Sequence, residues 1–180
     1  MAEVTDAVLA ARAKWRFRGA GRPSFAPAPG PGQESVWDYP RPPRVAPDAR
    51  RVRVMHGARV LADSIRALRV LETASPPAFY LPPDDVEDAL LRPSGRTTFC
   101  EWKGLAREFD ATDRDGVAWT YVDTFPEFTR IAGYFSFYPG RVHCTVEGET
   151  VRPQAGDYYG GWVTGEVLGP MKGAPGSAWW

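Results

Sequence analysis

The side chains most suited to chemistry are concentrated in one short segment, Phe99-Cys100-Glu101-Trp102-Lys103-Gly104-Leu105-Ala106. A thiol, a carboxylate, an indole and an ammonium group occupy consecutive positions there, and a glycine follows them. A strand that only fills a hydrophobic core does not need this mixture. The segment therefore indicates where a functional site would lie, although no complete catalytic or cofactor motif surrounds it.

Two charged residues interrupt segments that otherwise have the composition of apolar strands. Glu72 ends the segment Leu68–Glu72, and Lys103 follows Trp102. A buried ammonium is costly unless it is paired, so the two side chains must meet each other or a ligand if both face inward. The alternatives are a salt bridge that fixes the strand register, or a lysine that contacts an anion while Gly104 lets the ligand approach the backbone.

Aromatic residues make up 13% of the chain. This exceeds what a core of this size needs, so some rings should lie at surfaces or in a cleft. Trp119 and Tyr121 share one face of a predicted strand, and Tyr80 and Trp102 are candidates for the same concavity. A cleft provides partners for their N–H and O–H groups more easily than a small core does. An aromatic cross-strand core is the alternative interpretation.

Other residues that could hold a metal or a phosphate have simpler explanations. The acids of Asp84–Asp88 fit a helix start, where carboxylates favour the positive end of the helix dipole. Cys100 and Cys144 form no CxxC pair and match no zinc spacing, so we expect structural thiols and no metal. A nucleophilic pair of Cys100 with His143 has no recognisable third member. The chain lacks GxxxxGK[ST] and a GxGxxG after a strand, and we expect no cofactor.

The composition argues against two classes of partner. Lys plus Arg and Asp plus Glu are both 22, which leaves no overall charge to attract nucleic acid or an anionic membrane. No hydrophobic stretch is long enough for a signal peptide or a membrane span. We therefore expect a cytoplasmic protein with reduced thiols. The composition does not predict an oligomeric state.

Short strands dominate the predicted secondary structure. Arg51–Met55 and Arg59–Asp63 alternate with period two around a turn, which predicts a β-hairpin. Pro82–Leu91 begins with prolines and acids and predicts the clearest helix. About eight short strands with one or two short helices indicate a single small, mainly β domain of antiparallel sheets.

The chain divides into three parts by composition. Residues 1–44 form an extended Pro/Gly-rich arm, residues 45–151 the β domain, and residues 152–180 a Gly/Trp-rich tail. Soluble monomers avoid exposing large apolar areas, so we expect the tail and the arm to pack on the domain. The aromatic residues that would anchor them are Trp37, Tyr39, Trp162, Trp179 and Trp180.

Several short segments between about Arg51 and Val146 resemble, in order, a bacterial and fungal family of domains of unknown function that is sometimes labelled nucleotidyltransferase-like. The matching segments are Ala62-Asp63-Ser64, Leu71-Glu72, Tyr80-Leu81-Pro82 with Asp85-Val86, Cys100-Glu101-Trp102-Lys103-Gly104 with Ala106, Ala118-Trp119-Thr120-Tyr121, and Gly133 with Phe137-Tyr138. The flanking regions resemble the longer version found in high-GC actinobacteria.

This resemblance implies a β-tent domain, in which two sheets splay like tent walls over a pocket. Related β-tent domains often hold zinc through paired CxxC knuckles, which this chain lacks. The family implies no catalytic roles for its motif positions. Those positions are Glu72, Tyr80, Cys100, Trp102, Lys103, Gly104, Trp119 and Tyr121.

Two functions from different classes remain open. The first is a small-molecule binding domain for an anionic or nucleotide-like ligand, with an aromatic pocket anchored by Lys103 and Glu72. The second is an enzyme of nucleotidyltransferase-like or other phosphoryl chemistry, with Lys103 and Arg69 on phosphate and Glu72 as base. A purely structural domain with every charge paired is a third possibility. The candidate ligand-binding residues are Arg69, Glu72, Tyr80, Cys100, Trp102, Lys103, Trp119 and Tyr121.

Overall fold

The computed structural model describes residues 1–156, 158–178 and 180. Within these residues the only α-helix is α1 (Asp6–Ala13), and no helix is long and apolar enough to cross a membrane. Thr5 caps α1, since its hydroxyl oxygen accepts a hydrogen bond from the Val8 N–H at 3.4 Å. Short 3₁₀ helices lie at Val36–Asp38, Pro83–Asp85, Asp88–Leu90 and Pro126–Ile131.

The remaining regular structure is β. The strands are β1 (Glu34–Ser35), β2 (Arg44–Asp48), β3 (Val52–His56), β4 (Arg59–Ser64), β5 (Ala67–Glu72), β6 (Ser75–Tyr80), β7 (Arg92–Cys100), β8 (Gly104–Ala111), β9 (Arg114–Thr124), β10 (Phe135–Phe137), β11 (His143–Val146), β12 (Glu149–Thr150), β13 (Arg152–Pro153), β14 (Trp162–Val163) and β15 (Val167–Leu168).

Three antiparallel sheets form the body of the domain. Their strand orders are β10-β9-β8-β7, β12-β11-β3-β4 and β2-β5-β6. Two further pairs involve the flanking regions, β1 with β15 in parallel and β13 with β14 in antiparallel orientation. The prediction of a small, mainly β domain with short helices is confirmed, with three main sheets where the resemblance implies two walls.

Two hairpins have glycine-containing turns, and the sequence predicts the first of them, between β3 and β4. β3 pairs with β4 across a turn at Gly57, whose φ of 57° is readily adopted by glycine. β11 pairs with β12 through Glu147 and Gly148, both with positive φ, as a tight two-residue hairpin turn requires.

The predicted helix over Pro82–Leu91 is wrong. This segment forms two single 3₁₀ turns, because the backbone between them, at Val86 and Glu87, pairs with β4 and interrupts the helix. Val86 forms an antiparallel bridge with Ala62, and the Glu87 N–H donates to the carbonyl oxygen of Leu61 at 2.8 Å. Pairing with the neighbouring strand outweighs the helix-start signal of the prolines and acids.

Two hydrophobic clusters fill the body. The larger one joins the β3-β4-β11 sheet to β6, β9 and β10, and it includes Trp162 of the tail. The smaller one lies between β5–β6 and β8–β9, and several of its members also line a cavity. Its buried members are Leu68, Val70, Tyr80, Trp102, Ala106, Trp119, Tyr121, Phe128 and Ile131.

The arm and the tail contact the body and each other. Trp37 is buried, and its indole N–H donates to the carbonyl oxygen of Pro170 at 2.9 Å. Trp162 is also buried, and its ring stacks on Phe79 with centroids 4.9 Å apart. β1 of the arm pairs with β15 of the tail. Trp179, one of the predicted anchors, lies outside the described residues.

Candidate functional site

A cavity of about 410 Å³ lies between the β5–β6 strands and the sheet that contains β7, β8 and β9. This volume is in the range of small-molecule sites. Two exposed aromatic residues, Phe99 and Tyr158, line its edge. The lining residues from the strands are Val70, Glu72, Ser75, Pro76, Ala78, Tyr80, Thr98, Phe99, Cys100, Glu108, Trp119 and Tyr121.

A three-residue turn places the charged and aromatic side chains of the predicted segment in this cavity. β7 ends at Cys100 and β8 begins at Gly104, so Glu101, Trp102 and Lys103 form the connection between them. All three turn residues line the cavity, as does Cys100. The segment singled out from the sequence is therefore a hairpin end that points its side chains at the space between the sheets.

Seven of the eight predicted ligand-binding residues line this one cavity. They are Glu72, Tyr80, Cys100, Trp102, Lys103, Trp119 and Tyr121. The eighth, Arg69, does not line the cavity. Its guanidinium forms ion pairs with Glu34 and with Asp48, the latter at 3.0 Å. On β5, Arg69 and Val70 face opposite sides because side chains alternate along a strand, and Val70 is the one that faces the cavity.

The Glu72 carboxylate is shared by two cations. Arg41 donates from Nε to Oε1 at 3.2 Å, whereas Lys103 Nζ lies 3.8 Å from Oε2. The Arg41 side chain is fully buried, and its other N–H groups donate to the carbonyl oxygens of Phe17, Thr73 and Trp180. Arg41 is thus the close partner of Glu72, and Lys103 is the looser one.

Lys103 remains an ammonium despite its position. Burial disfavours its charged form, but the electrostatic effects of Cys100 and the Glu72 carboxylate outweigh that cost and raise its pKa. Within the described residues, no hydrogen bond shorter than 3.5 Å is made by its Nζ. A lysine ammonium has three donors. The cavity therefore contains a permanent positive charge with unused donors.

Two tyrosines adjoin Cys100 in the wall. Burial raises the pKa of Tyr80 to about 12. It also raises the pKa of Tyr121 well above its usual value, and electrostatic and hydrogen-bonding contacts with Cys100 contribute to that increase. Both hydroxyls are therefore protonated at neutral pH and can donate as well as accept. Trp119 supplies a hydrogen bond to Tyr80, which extends this polar edge along β9.

Gly104 has a structural role that differs from the predicted one. A Cβ atom at this position would lie 2.1 Å from the carbonyl oxygen of Asp123, and its φ is 112°. The glycine is therefore required by the close approach of β9 to β8. The prediction that it admits a ligand to the backbone is wrong, because that space is occupied by the neighbouring strand.

The arm and the tail contribute cavity residues that the sequence did not single out. They are Trp15 from the arm and Gln154, Tyr158, Tyr159, Gly160, Gly161 and Lys172 from the tail. A Cβ on Gly160 would lie 2.2 Å from the Trp119 ring, so this glycine lets the tail cross the aromatic wall. The consecutive glycines Gly160 and Gly161 are the feature of the sequence that could have indicated this close crossing.

The other candidate sites do not assemble at the cavity. Asp85 accepts a hydrogen bond from Ser64 at 2.6 Å, and its hydrogen bond with Arg66 holds the pKa of this carboxyl below its ordinary value. His143 is exposed on β11 and does not line the cavity, so Cys100 and His143 do not form a pair there. In the described part of the chain, no three His, Cys, Asp or Glu side chains are placed to hold a metal ion.

Comparison with known proteins identifies the family but not an activity. No curated protein matches this chain. A family model described as a domain of unknown function (DUF427), and named NTP_transf_9, matches residues 44–148. The match covers more than half of the chain and includes β2 to β11, which carry most of the cavity wall. The chain therefore belongs to the DUF427 family.

Proposed function

We propose that this protein binds a small anionic molecule with a planar or aromatic part in the cavity between its sheets. Lys103 and Glu72 are the polar anchors, and the rings of the wall provide the apolar contact. Polar groups at fixed positions orient a bound ligand, and this cavity combines charged side chains with aromatic rings.

The looseness of the Lys103–Glu72 contact is the observation that carries the proposal. Charge-assisted hydrogen bonds in proteins are about 2.7–2.9 Å long. The 3.8 Å separation of Lys103 Nζ from Glu72 is well beyond that range, while Arg41 already contacts the carboxylate at 3.2 Å. Glu72 has a partner without Lys103, so the ammonium is available to an anionic ligand.

The aromatic wall favours a planar ligand over a purely aliphatic one. Tyr80 and Trp119 meet edge to face with centroids 6.2 Å apart, and the Tyr138 ring lies 4.5 Å from Trp119. Rings fixed by one another offer rigid faces on which a base or another planar group can stack. A nucleotide or a phosphorylated or carboxylated aromatic compound combines such a face with the required negative charge.

Phosphoryl transfer is supported less well than binding. Arg69, the second phosphate contact in that hypothesis, pairs with Glu34 and Asp48. Glu72 Oε1 already accepts from Arg41, which leaves only Oε2 to face a substrate. Phosphoryl transfer normally requires Mg²⁺. A ligand that stabilises the protein only when Mg²⁺ is present would therefore favour phosphoryl transfer over simple binding.

We also propose a cytoplasmic location for this activity. Cys100 and Cys144 are both unbridged. Free thiols persist in reducing compartments, and Cys100 borders the cavity that the ligand would enter. A reducing environment would keep the Cys100 thiol from being oxidised.

A thermal-shift screen of nucleotides and sugar phosphates tests the binding proposal. Wild type and Lys103→Met are compared, with Lys14→Met as the matched control because Lys14 is exposed and does not line the cavity. We expect at least one anion to raise the melting temperature of wild type and Lys14→Met but not that of Lys103→Met. A screen in which no anion distinguishes Lys103→Met from the control would refute the proposal.

A further inference from the structure

Two of the three lysine residues of this protein line the cavity. The chain has three lysines, Lys14, Lys103 and Lys172, among 22 Lys and Arg residues. Lys103 and Lys172 both line the cavity, whereas Lys14 is exposed on the arm. Arginine is always charged and cannot act as a nucleophile, but lysine can lose its proton when it is buried. Lysine at these two positions therefore allows chemistry that arginine would not.

The backbone of Lys172 is fixed on both sides. Its N–H donates to the carbonyl oxygen of Ala74 at 2.7 Å, and its own carbonyl oxygen accepts from Gln154 Nε2 at 2.7 Å. Lys172 lies in the tail, outside the family match over residues 44–148. The tail thus delivers a positioned side chain to a cavity whose walls belong mainly to the family domain.

The amine of Lys172 lies between aromatic faces. Its Nζ is 3.7 Å from the centroid of the Trp15 ring and 4.8 Å from that of Tyr159, and the residue is only 5% exposed. None of the described carboxylates comes within 4.0 Å of it. Cation–π contact by itself would be served as well by arginine, which makes such contacts more often.

Burial leaves the amine of Lys172 partly neutral. Burial lowers the pKa of Lys172 to about 8, and the cations Arg41 and Lys103 act in the same direction. Glu72 and Glu101 oppose the change without overcoming it. At pH 7, roughly a tenth of the side chain is therefore the free amine.

The two cavity lysines therefore differ in kind. Lys103 is held as an ammonium by Cys100 and the Glu72 carboxylate, and it suits an anion. Lys172 has no carboxylate partner within ion-pair distance in the described structure and has aromatic rings on its sides, which suits a nucleophile in a desolvated site. One small molecule could meet both, since both side chains line the same cavity.

We infer that Lys172 forms an imine with the carbonyl group of an anionic aldehyde or ketone whose acid group pairs with Lys103. The inference rests on the proposed function and specifies its ligand as an anionic carbonyl compound. The side-chain nitrogen attacks the carbonyl carbon, a C–N bond forms, and the carbonyl π electrons move to oxygen. A proton passes from nitrogen to that oxygen, and loss of one water molecule then gives the C=N bond. No oxidant or reductant is needed.

Reductive trapping on the full chain tests the inference. Wild type is incubated with glyoxylate and cyanoborohydride, and the rate of carboxymethylation at each lysine is followed by peptide mass spectrometry. We expect Lys172 to react about tenfold faster than exposed Lys14, with Lys103 unreacted. The rate at Lys172 should reach half of its maximum near pH 8. This comparison is made within one protein, so it does not depend on the folding of a variant.

Variants of Lys172 and Lys103, together with a neutral aldehyde, distinguish imine formation at Lys172 from recognition of the acid group by Lys103. Lys172→Arg should lose the adduct while Lys14→Arg keeps it. Lys103→Met should slow trapping of glyoxylate at Lys172 but not trapping of the uncharged aldehyde propanal, since only glyoxylate needs an ammonium partner. Equal rates at Lys14 and Lys172 in wild type, or an adduct on Lys103 in place of Lys172, would overturn the inference.

A separate readout identifies failure of the proposed function. Oxalate has the charge of an anionic ligand but no aldehyde, so its effect on the melting temperature reports anion binding without imine formation. Stabilisation by oxalate that requires Lys103, without selective labelling of Lys172, would leave anion binding in place and refute the imine. Selective labelling of Lys172 by propanal, without any stabilisation by anions, would support the reactive amine and refute the anion site.

Discussion

The two cations on Glu72 have different roles. Arg41 is fully buried and connects four parts of the chain, since it contacts Phe17, Glu72, Thr73 and Trp180. Its five N–H donors suit such a junction. Lys103 makes a longer contact and lines a cavity. We therefore expect Lys103, the ion-pair partner predicted from the sequence, to be less important for folding than Arg41.

Replacing Arg41 should be costly. Arg41→Met would leave a buried carboxylate and three carbonyl oxygens without their donor, and we expect a loss of about 3–5 kcal/mol in the free energy of unfolding. Urea denaturation measures this loss. Arg66→Met is the control, since its pair with Asp85 is 57% exposed on the arginine side and should contribute little to stability. Equal losses for the two variants would contradict the role given to Arg41.

Replacing Lys172 should have the opposite effect on stability. Lys172→Met removes a buried ammonium that has no carboxylate partner in the described structure and keeps an apolar chain of similar length. We expect a gain of about 1–3 kcal/mol at pH 7, because the lowered pKa of Lys172 means that its charged form disfavours folding. A loss of stability in Lys172→Met would show that this lysine is a structural element.

The same variant should show a defined pH dependence. Below the folded pKa of about 8, Lys172 is charged in both the folded and the unfolded states, and the full cost of burial is present. Above pH 8 the folded state loses this proton while the unfolded state keeps it up to its ordinary lysine pKa, so wild-type stability rises with pH. The advantage of Lys172→Met should therefore shrink as the pH increases above 8. An advantage that stays constant to pH 10 would contradict this account.

At the scale of secondary structure, the β7–β8 hairpin positions the site. Its turn carries Glu101, Trp102 and Lys103 into the cavity, and Gly104 allows β9 to pack against the start of β8. The register Gly104–Thr124 places this turn at the end of β9. The geometry of the site therefore depends on a close backbone approach that only glycine permits.

Gly104→Ala tests this dependence. The new methyl group would collide with the Asp123 carbonyl oxygen, and we expect the variant to lose more than about 2 kcal/mol of stability. Gly57→Ala is the matched control, since Gly57 also has a positive φ but nothing within 4 Å of the added methyl group. It should lose about 1 kcal/mol by backbone strain alone. Similar losses for both variants would show that the collision is relieved by a small shift of β9.

The body of the site could be predicted from the sequence because its signals are local. Period-two alternation predicts strands β3 and β4, and the mixture of side chains at Cys100–Lys103 indicates the site, although not its position in a turn. The helix over Pro82–Leu91 was wrong since its pairing partner, β4, lies about 20 residues earlier in the chain. Arg69 does not line the cavity, and its acidic partners come from the arm and from β2, which no local pattern connects to β5.

At the scale of the whole molecule, the cavity is completed from outside the matched domain. The family match spans residues 44–148, whereas Trp15 comes from the arm and Tyr159 and Lys172 come from the tail. The arm also covers the turn, since Trp15 Nε1 donates to Glu101 Oε1 at 2.6 Å and Arg12 Nε donates to the Glu101 carbonyl oxygen at 2.7 Å. The domain supplies Lys103, and the flanking segments supply the second lysine and part of the aromatic surround.

The central claim is that Lys103 is retained for a ligand and not for the fold. Equilibrium unfolding in urea of wild type and Lys103→Met, each with and without an anion that stabilises wild type in the screen, tests it most directly. Without the anion we expect Lys103→Met to lose less stability than Arg41→Met, because Arg41 still neutralises Glu72. With the anion, only wild type should gain stability. A loss of about 3–5 kcal/mol in ligand-free Lys103→Met, recovered largely by adding Glu72→Leu, would contradict the claim and make the pair structural.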